Sequence, residues 1–347
     1  MPDVLIVGGG LAGLALARQL QAEGHDWALV EARARLGGRI LTSEDGADLG
    51  PAWIWPGQPR IAALLADLAL PVFEQFSRGD LLHEDPDGQI HRMRGPGGMQ
   101  GSLRVTGGLW TVVRALAADL PAERIHLRQT VRALSWQDGT VTASTATGDA
   151  FSANRVVLAL PPRIAATLRF TPALPQEAIR AMAQTRTWMA GHAKAVAIYD
   201  RARWRDAGLS GDAFSRRGPM VEIHDASGPD GTGPAAIFGF LGWPPADRQD
   251  EDRLRAAVLD QLARLFGPDA PLALHLKDWA QDPLTATKAD AAPLTRHPAY
   301  GPVPGTQDLW GGRLILGSTE VGEPHGGFIE GALDAAEAAR ARLNVTL

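Results

Sequence analysis

The feature that most restricts the fold lies at the very start of the chain. A short apolar run, Asp3 to Val7, meets Gly8-Gly9-Gly10-Leu11-Ala12-Gly13, and an alanine- and leucine-rich helical pattern, Leu11 to Glu23, follows. After Gly24 comes a second apolar run, Trp27 to Glu31. Strand, glycine turn, helix and strand make a βαβ unit. In such a unit the first glycine permits the tight turn, the second lets a pyrophosphate approach the backbone, and the third lets the helix pack on the strand. The helix N-terminus then faces the phosphates with its free N–H groups and its dipole. Glu31 stands 21 residues after Gly10, where a carboxylate can accept hydrogen bonds from ribose hydroxyls. These residues predict an α/β fold around a dinucleotide, and leave NAD and FAD both open.

Composition narrows the surroundings of that unit. With 347 residues the chain exceeds the size at which one core usually keeps growing, so two domains are expected. An apolar fraction of 45%, a charged fraction of 21% and a net charge of −5 describe an ordinary globular protein and argue against nucleic acid as a partner. The absence of cysteine removes disulfides, thiol nucleophiles, cysteine-ligated metals and a cysteinyl bond to any cofactor. No metal site is expected. Val4 to Ala17 is not read as a signal-peptide core, because no basic residue precedes it and glycines interrupt it. No run approaches the ~20 apolar residues of a membrane helix. A soluble cytoplasmic protein is the expectation.

Further along, residues 59–70 read as an amphipathic helix, 78–104 as an irregular excursion, and Leu109 to Leu120 as a helix introduced by Gly107-Gly108. A meander is expected from Ile125 to Leu127, Val131 to Gln137, Gly139 to Thr145, Ala150 to Ser152 and Arg155 to Leu160. Pro161-Pro162 stops it. Beyond lie a helix at 175–183, a strand from His192 to Tyr199, Gly/Asp/Pro-rich turns at 206–234, a strand at 235–241, a helix at 250–266 and a short segment from His275 to Trp279. The chain closes with a strand from Leu314 to Gly317 and a helix from Phe328 to Leu343.

The fingerprint continues into Glu31-Ala32-Arg33-Ala34-Arg35-Leu36-Gly37-Gly38-Arg39 and then Asp48-Leu49-Gly50-Pro51-Ala52-Trp53. In these residues the chain resembles the flavin-containing amine oxidase family, the monoamine and polyamine oxidases and their relatives. The resemblance implies a Rossmann-like FAD-binding domain, a doubly wound sheet plus a β-meander, with an interwoven α+β substrate domain. It sets Gly37, Gly38 and Arg39 against the FAD pyrophosphate, where a guanidinium fork offsets phosphate charge. It also adds Leu11, Ala12, Ala32, Arg33, Gly50, Pro51, Ala52 and Trp53 to the cofactor-binding set. Val105-Thr106-Gly107-Gly108 resembles the family's glycine pair before a helix, Thr130-Val131 the segment whose backbone holds adenine, and Val157 to Pro162 the strand that returns to the FAD domain. Gly317-Ser318-Thr319-Glu320 and Gly326-Gly327-Phe328-Ile329-Glu330-Gly331-Ala332 resemble its second flavin-contacting signature. A glycine pair directly before a helix also presents N–H groups and a positive dipole end by itself. Gly327, Phe328 and Ile329 are therefore expected at the isoalloxazine ring, with the Ile329 amide donating. Without cysteine, FAD is expected to be held non-covalently.

Lys194 interrupts the otherwise apolar run His192 to Tyr199, and a lysine there must reach solvent or have a polar purpose. By its place before Tyr199-Asp200 and Trp204 it resembles the family's lysine that holds a water against flavin N5, where burial would lower its pKa. The resemblance implies a small amine that gives up hydride equivalents to the flavin, an imine that hydrolyses, and O2 that returns the flavin to its oxidised form with H2O2. It also implies two aromatic rings caging the amine. Phe328 matches one, while Leu284 to Asp290, after the tryptophan segment of Trp279, offers no second ring. Trp279 is expected to flank the flavin. Two other readings stay open: a desaturase- or protoporphyrinogen-oxidase-like enzyme of the same fold, and a non-catalytic FAD module. The expected FAD domain is 1–58, 105–162 and 280–347, and the substrate domain 59–104 and 163–279. Expected partners are a small-molecule amine and O2, with a homodimer allowed, and neither nucleic acid nor membrane.

Overall fold

The computed structural model of the chain describes residues 1–95, 97–229, 234–323 and 325–344. At its centre Val4–Val7 pairs in parallel with Trp27–Val30 on one side and Arg155–Leu158 on the other. Ile125–His126 and Leu314–Leu316 complete a five-stranded parallel sheet at its two edges. Both faces of this sheet are covered, which is why its strands read as unbroken apolar runs. Ile6, Leu29 and Val157 face the helices Leu11–Ala22, Trp110–Ala118 and Ile329–Asn344 through Leu14, Leu16, Val112, Leu116, Leu333 and Ala336. Leu5, Val7, Val156 and Leu158 face the opposite way and pack with Leu134, Val141, Ala143 and Met182.

The meander is shorter than expected. Val131–Gln137, Thr140–Thr145 and Ala150–Ala153 form it, and Arg169–Thr171 joins Val131–Gln137 in parallel. The flanking segments assigned to the meander from sequence, 125–127 and 155–160, belong instead to the parallel sheet. Short apolar runs pair equally well with either sheet, and only the crossover connections decide between them.

A separate seven-stranded sheet runs in the order Ala273–Asp278, Ala193–Tyr199, Ala235–Leu241, Met220–Asp225, Leu209–Ser215, Asp80–Glu84 and Ile90–Met93. Helix Glu251–Phe266, capped by the Asp250 side chain on the Arg253 amide, covers one face through Leu254, Val258 and Leu262. The other face carries Val196, Ile198, Ala236 and Phe238, and it packs against Ala47, Leu49 and Trp53 from the loop that follows the βαβ unit. The irregular excursion expected at 78–104 thus contains two strands of this sheet and a third, Leu103–Val105, paired with Val72–Glu74. The turns expected at 206–234 contain two more strands. Ile90–Met93 is exposed throughout, so its sequence shows no alternation of apolar and polar residues. Leu209–Ser215 is almost wholly buried yet includes Ser210, Asp212 and Ser215, whose side chains find buried partners rather than water. Among the described residues no helix is long and apolar enough to cross a membrane, and no His/Asp/Glu group is arranged to hold a metal ion.

Candidate functional site

The glycine loop joins Val4–Val7 to helix Leu11–Ala22 with no room for a side chain at Gly8, Gly9 or Gly13, whereas a Cβ on Gly10 would meet only the Gly38 Cα, at 4.0 Å. A Cβ on Gly13 would run into the Gly8 carbonyl oxygen, and one on Gly8 would sit 2.7 Å from the Ala159 oxygen. Gly10 is the extended N-cap residue of the helix, with Leu11 and Ala12 buried in its first turn. Gly37 donates its amide to the Gly9 oxygen at 2.7 Å and bridges Gly10, and Gly38 lies directly against Gly10. Glu31, 4% exposed, accepts from the Gly9 amide at 2.7 Å and the Arg33 amide at 2.8 Å, which fixes its carboxylate at the mouth of the loop. Ala32 is half-buried beside it. The segment before Val131 is bound to the same place, because Gln129 and Arg128 donate their amides to the Glu31 and Arg33 oxygens. Val131 itself packs beneath Val30.

The Arg33 guanidinium turns away from the loop, donating to Asp282 at 2.8 Å and Thr285 at 3.0 Å. It therefore ties the βαβ unit to the stretch after Trp279. Burial would raise the Asp282 pKa, but the charge and hydrogen bond of Arg33 hold it below the usual carboxylate range. Arg39 Nη1 lies 2.7 Å from Glu320 Oε1, off the line of its N–H, so both buried Glu320 oxygens lack an aligned donor. Ser318 Oγ, 2% exposed as a residue, is also unpartnered. Buried groups that lose water without a protein partner cost free energy, so Ser318 Oγ and Glu320 Oε2 are set for a polar ligand.

The turn before helix Ile329–Asn344 is held by Thr319, which accepts the Gly327 amide at 3.2 Å and donates its hydroxyl to the Phe328 oxygen at 2.7 Å. Gly327 has φ +82, and a Cβ there would press on Tyr300, Trp188 and His297. The Phe328 ring is stacked on His297 at 4.6 Å and 17°. His297 in turn meets Trp188 at 5.0 Å and Tyr300 at 5.5 Å, edge to face. Trp188 reaches His192 at 6.0 Å, a neutral imidazole whose pKa is lowered to about 4 by burial and by the charges of Lys194 and Arg248. Stacked rings leave no space for an amine between them, so Phe328 and His297 form one wall and not a cage.

Lys194 is 4% exposed, on the face of the seven-stranded sheet that meets the βαβ loop. Its ammonium donates to the Gly50 oxygen and stands over the rings of Phe240 at 5.2 Å and Phe238 at 5.4 Å. Burial lowers its pKa to about 8, opposed by the charge of Asp48. Asp48, raised to about 6 by burial, accepts from Thr42 Oγ1 at 2.5 Å and the Leu109 amide at 3.0 Å. Gly50, Pro51 and Ala52 thus pass beneath the lysine, and Trp279 Nε1 binds the preceding Leu49 oxygen at 2.9 Å. Trp279 is buried, with the Lys277 ammonium 4.7 Å from its ring. Trp53, which the sequence placed with the cofactor, has its ring among Phe238, Phe240 and His224, and its indole donates to Gln75. An open cleft of about 320 Å³ lies on the far side of Gln75, lined by Phe73, Phe76, Arg78 and Gln100. That cleft is separated from Lys194 by Gln75, whose side chain accepts from the Trp53 indole, and by the Trp53 and Phe240 rings.

The site thus comprises a glycine cradle with a fixed carboxylate at its mouth, an unpartnered Ser318 beside the Arg39–Glu320 ion pair, and a buried lysine over Gly50. The family profile described as flavin containing amine oxidoreductase matches residues 11–96 and 88–343. The chain belongs to that family. A protein of Mycobacterium tuberculosis named as a flavin-containing monoamine oxidase is 26% identical over 453 aligned positions, which cover 99% of this chain and 97% of that one. Putrescine oxidase of Kocuria rosea is 25% identical, covering 87% of this chain and 88% of its own. Among solved structures, cyclohexylamine oxidase from Brevibacterium oxydans superposes with a TM-score of 0.82 at 21% identity, covering 99% of this chain and 98% of that one. Putrescine oxidase bound to putrescine gives 0.81 at 21% identity, covering 98% of each. At that identity the solved structures speak for the fold alone, and they agree with the Rossmann-like α/β reading.

Membership makes the chain an FAD-dependent oxidoreductase acting on amines. The residues present fit FAD, since packing enforces Gly8, Gly9 and Gly13 while the space beside Gly10 is open to a pyrophosphate, and the buried Ser318 Oγ needs a polar ligand. Sequence reasoning missed His297, Tyr300 and His192 around Phe328, and Phe238 and Phe240 under Lys194. A signal for the first two existed in Arg296-His297-Pro298-Ala299-Tyr300, an aromatic-bearing stretch just beyond the segment searched for the second cage ring.

Proposed function

We propose that this flavin amine oxidoreductase oxidises the C–N bond of a small amine to an imine at a non-covalently bound FAD, and that O2 completes the cycle with release of H2O2. The observation that carries this reading is Lys194, a buried lysine on the sheet face that closes over Gly50, with its pKa lowered to about 8. Bound flavin supplies a two-electron acceptor, and this chain's own residues supply the setting. Gly8, Gly10 and Gly13 with the first turn of helix Leu11–Ala22 receive the pyrophosphate. Glu31 orients a ribose, and the Val131 segment shelters the base. Arg39 faces phosphate charge, while Ser318, Thr319 and Glu320 offer hydrogen bonds along the polyol chain.

At the reacting end, Lys194 holds a proton or a water next to the redox centre, and Trp279 fixes the loop beneath it through Leu49. Phe328, backed by His297, forms an apolar wall beside the amine, and Gly327 and Ile329 present backbone to the flavin ring. A neutral His192 adds no cation beside the substrate nitrogen. The division into an FAD domain and a substrate domain is supported by the separation of the parallel sheet from the seven-stranded one. We place the protein in the cytoplasm with a small-molecule amine and O2 as its partners, and a homodimer is compatible with this reading. The test is anaerobic mixing of the holoenzyme with primary, secondary and polyamines while the oxidised flavin band is followed. Bleaching followed by peroxide on admission of air is expected. A flavin that no amine bleaches would overturn the proposal in favour of a non-catalytic flavin module.

A further inference from the structure

His192 is a polar side chain beside Lys194 whose ring nitrogens the fold does not employ. Along the strand Ala193–Tyr199 side chains alternate: Ala193, Ala195 and Ala197 pack toward helix Glu251–Phe266, while Val196 and Ile198 point with Lys194 toward the loop 47–53. His192 continues the ladder by one residue, because its carbonyl accepts the Trp279 amide at 3.0 Å. Standing two positions before Lys194, it falls on the lysine's face, about 7 Å away along the strand. Its ring lies 6.0 Å from Trp188, the first of the row Trp188, His297 and Phe328. The Lys194 face, the Trp279 backbone and the aromatic wall therefore converge on one imidazole.

That imidazole is unspent. Nδ1 is buried without a hydrogen-bond partner, yet the residue as a whole is only half-buried. Among the described residues no hydrogen bond uses Nε2 either. A histidine that serves packing spends its nitrogens inside the protein, as His224 does on Asp212 and Glu222. The charges that face His192 are Lys194, on its own strand, and Arg248, whose guanidinium is fixed on the Gly191 oxygen and on Asp278. Together with burial they keep the ring uncharged down to about pH 4, so one nitrogen always offers a free lone pair.

We infer that His192 is a substrate-binding residue whose free ring nitrogen accepts a hydrogen bond from the N–H of the amine, and that it thereby selects primary and secondary amines over tertiary ones. The inference rests on the amine-oxidising reading of this site and deepens it by naming the substrate class. A neutral tertiary amine has no N–H and would leave the imidazole unpaired, and a polar site discriminates against an analogue that lacks the group it binds. An uncharged acceptor also suits an amine that reacts in its neutral form, because it does not hold the ammonium as a carboxylate would.

The experiment takes the primary amine that the holoenzyme oxidises best and compares it with its N-methyl and N,N-dimethyl derivatives, on the wild type and on His192→Phe, which keeps a ring beside Trp188 but has no nitrogen. The wild type is expected to favour the two amines that carry an N–H in kcat/KM. His192→Phe is expected to lose about 3- to 10-fold of that preference, the worth of one neutral hydrogen bond, through a raised KM for those two amines and an unchanged value for the dimethyl derivative. His192→Gln, which keeps an acceptor, is expected to retain most of the preference. His192→Leu is measured beside them, with flavin content, so that the result does not hang on the fold of one variant. An unchanged ratio in the nitrogen-free variants, or an equal loss for all three amines, overturns the inference while leaving amine oxidation intact. A flavin that no amine reduces overturns both.

Discussion

Around the glycine loop the contacts that matter are made within one short stretch: Gly9 to Glu31, Gly37 to Gly9, Arg33 to Glu31. Around Phe328 they come from everywhere else. Its ring meets His297, that ring meets Trp188, and the chain of contacts ends at His192 on the threshold of the strand that carries Lys194. The first region is a local device, complete once strand, turn and helix form. The second exists only after the seven-stranded sheet has docked on the loop 47–53 and the turn before Ile329 has closed. The difference teaches where specificity can change cheaply: the loop tolerates almost no substitution, whereas the aromatic wall can be rebuilt one side chain at a time.

The largest effect is expected at Gly13. Gly13→Val places a side chain on the Gly8 carbonyl, a backbone clash that cannot relax without separating helix from strand. Overpacking of this kind costs about 1–3 kcal/mol or more, and purified protein should carry almost no flavin, read as the ratio of flavin to protein absorbance. Retained flavin would break the contrast drawn above.

Lys194→Met should come next, in two directions at once. Turnover is expected to fall by roughly 100-fold with FAD still bound, the scale of losing one preorganised charge at a reacting centre. Stability should rise. The folded protein holds the Lys194 proton only below about 8, whereas an unfolded lysine holds it to its ordinary value of 10.5. Between those values the unfolded chain binds more protons, so stability climbs with pH through that window, and below it the full burial cost is present. Removing the charge should relieve on the order of 1–3 kcal/mol at pH 7, visible as a higher melting temperature of the apoprotein at pH 7 that converges on wild type as pH rises. Any pH limb of turnover near 8 should vanish with it.

Arg39→Ala is expected to weaken FAD by about tenfold, the worth of a partly exposed charge-assisted contact to phosphate, measured as flavin fluorescence released on dilution. No change would mean that Arg39 serves Glu320 alone. The smallest effect belongs to His297→Leu, which keeps an apolar backing but loses the ring stack, worth about 0.5–1.5 kcal/mol. Flavin content should stay constant and kcat/KM should fall by only a few fold. A collapse of activity there would make His297 a partner of the substrate and not a support for Phe328.

What the sequence determined by itself is the part whose physics is short-range. Three glycines at fixed spacing, an apolar strand before them and an acid after the next strand leave a dinucleotide cradle as the economical reading, because each requirement is met by residues near one another in the chain. The strands Val131–Gln137, Ala193–Tyr199 and Ala235–Leu241 were legible for the same reason. Tertiary structure decided the rest. Ile90–Met93 and Leu209–Ser215 are strands because partners lend them a sheet, one exposed throughout and the other hiding polar side chains that pair with distant groups, so neither displays a period of two. Lys194 could be singled out as anomalous, but that Phe240 shares its face depended on the pairing of two strands from separate stretches of chain. The aromatic wall at Phe328 depended likewise on His297 arriving under it, a contact no spacing encodes because burial is credited only once the fold brings the two rings together.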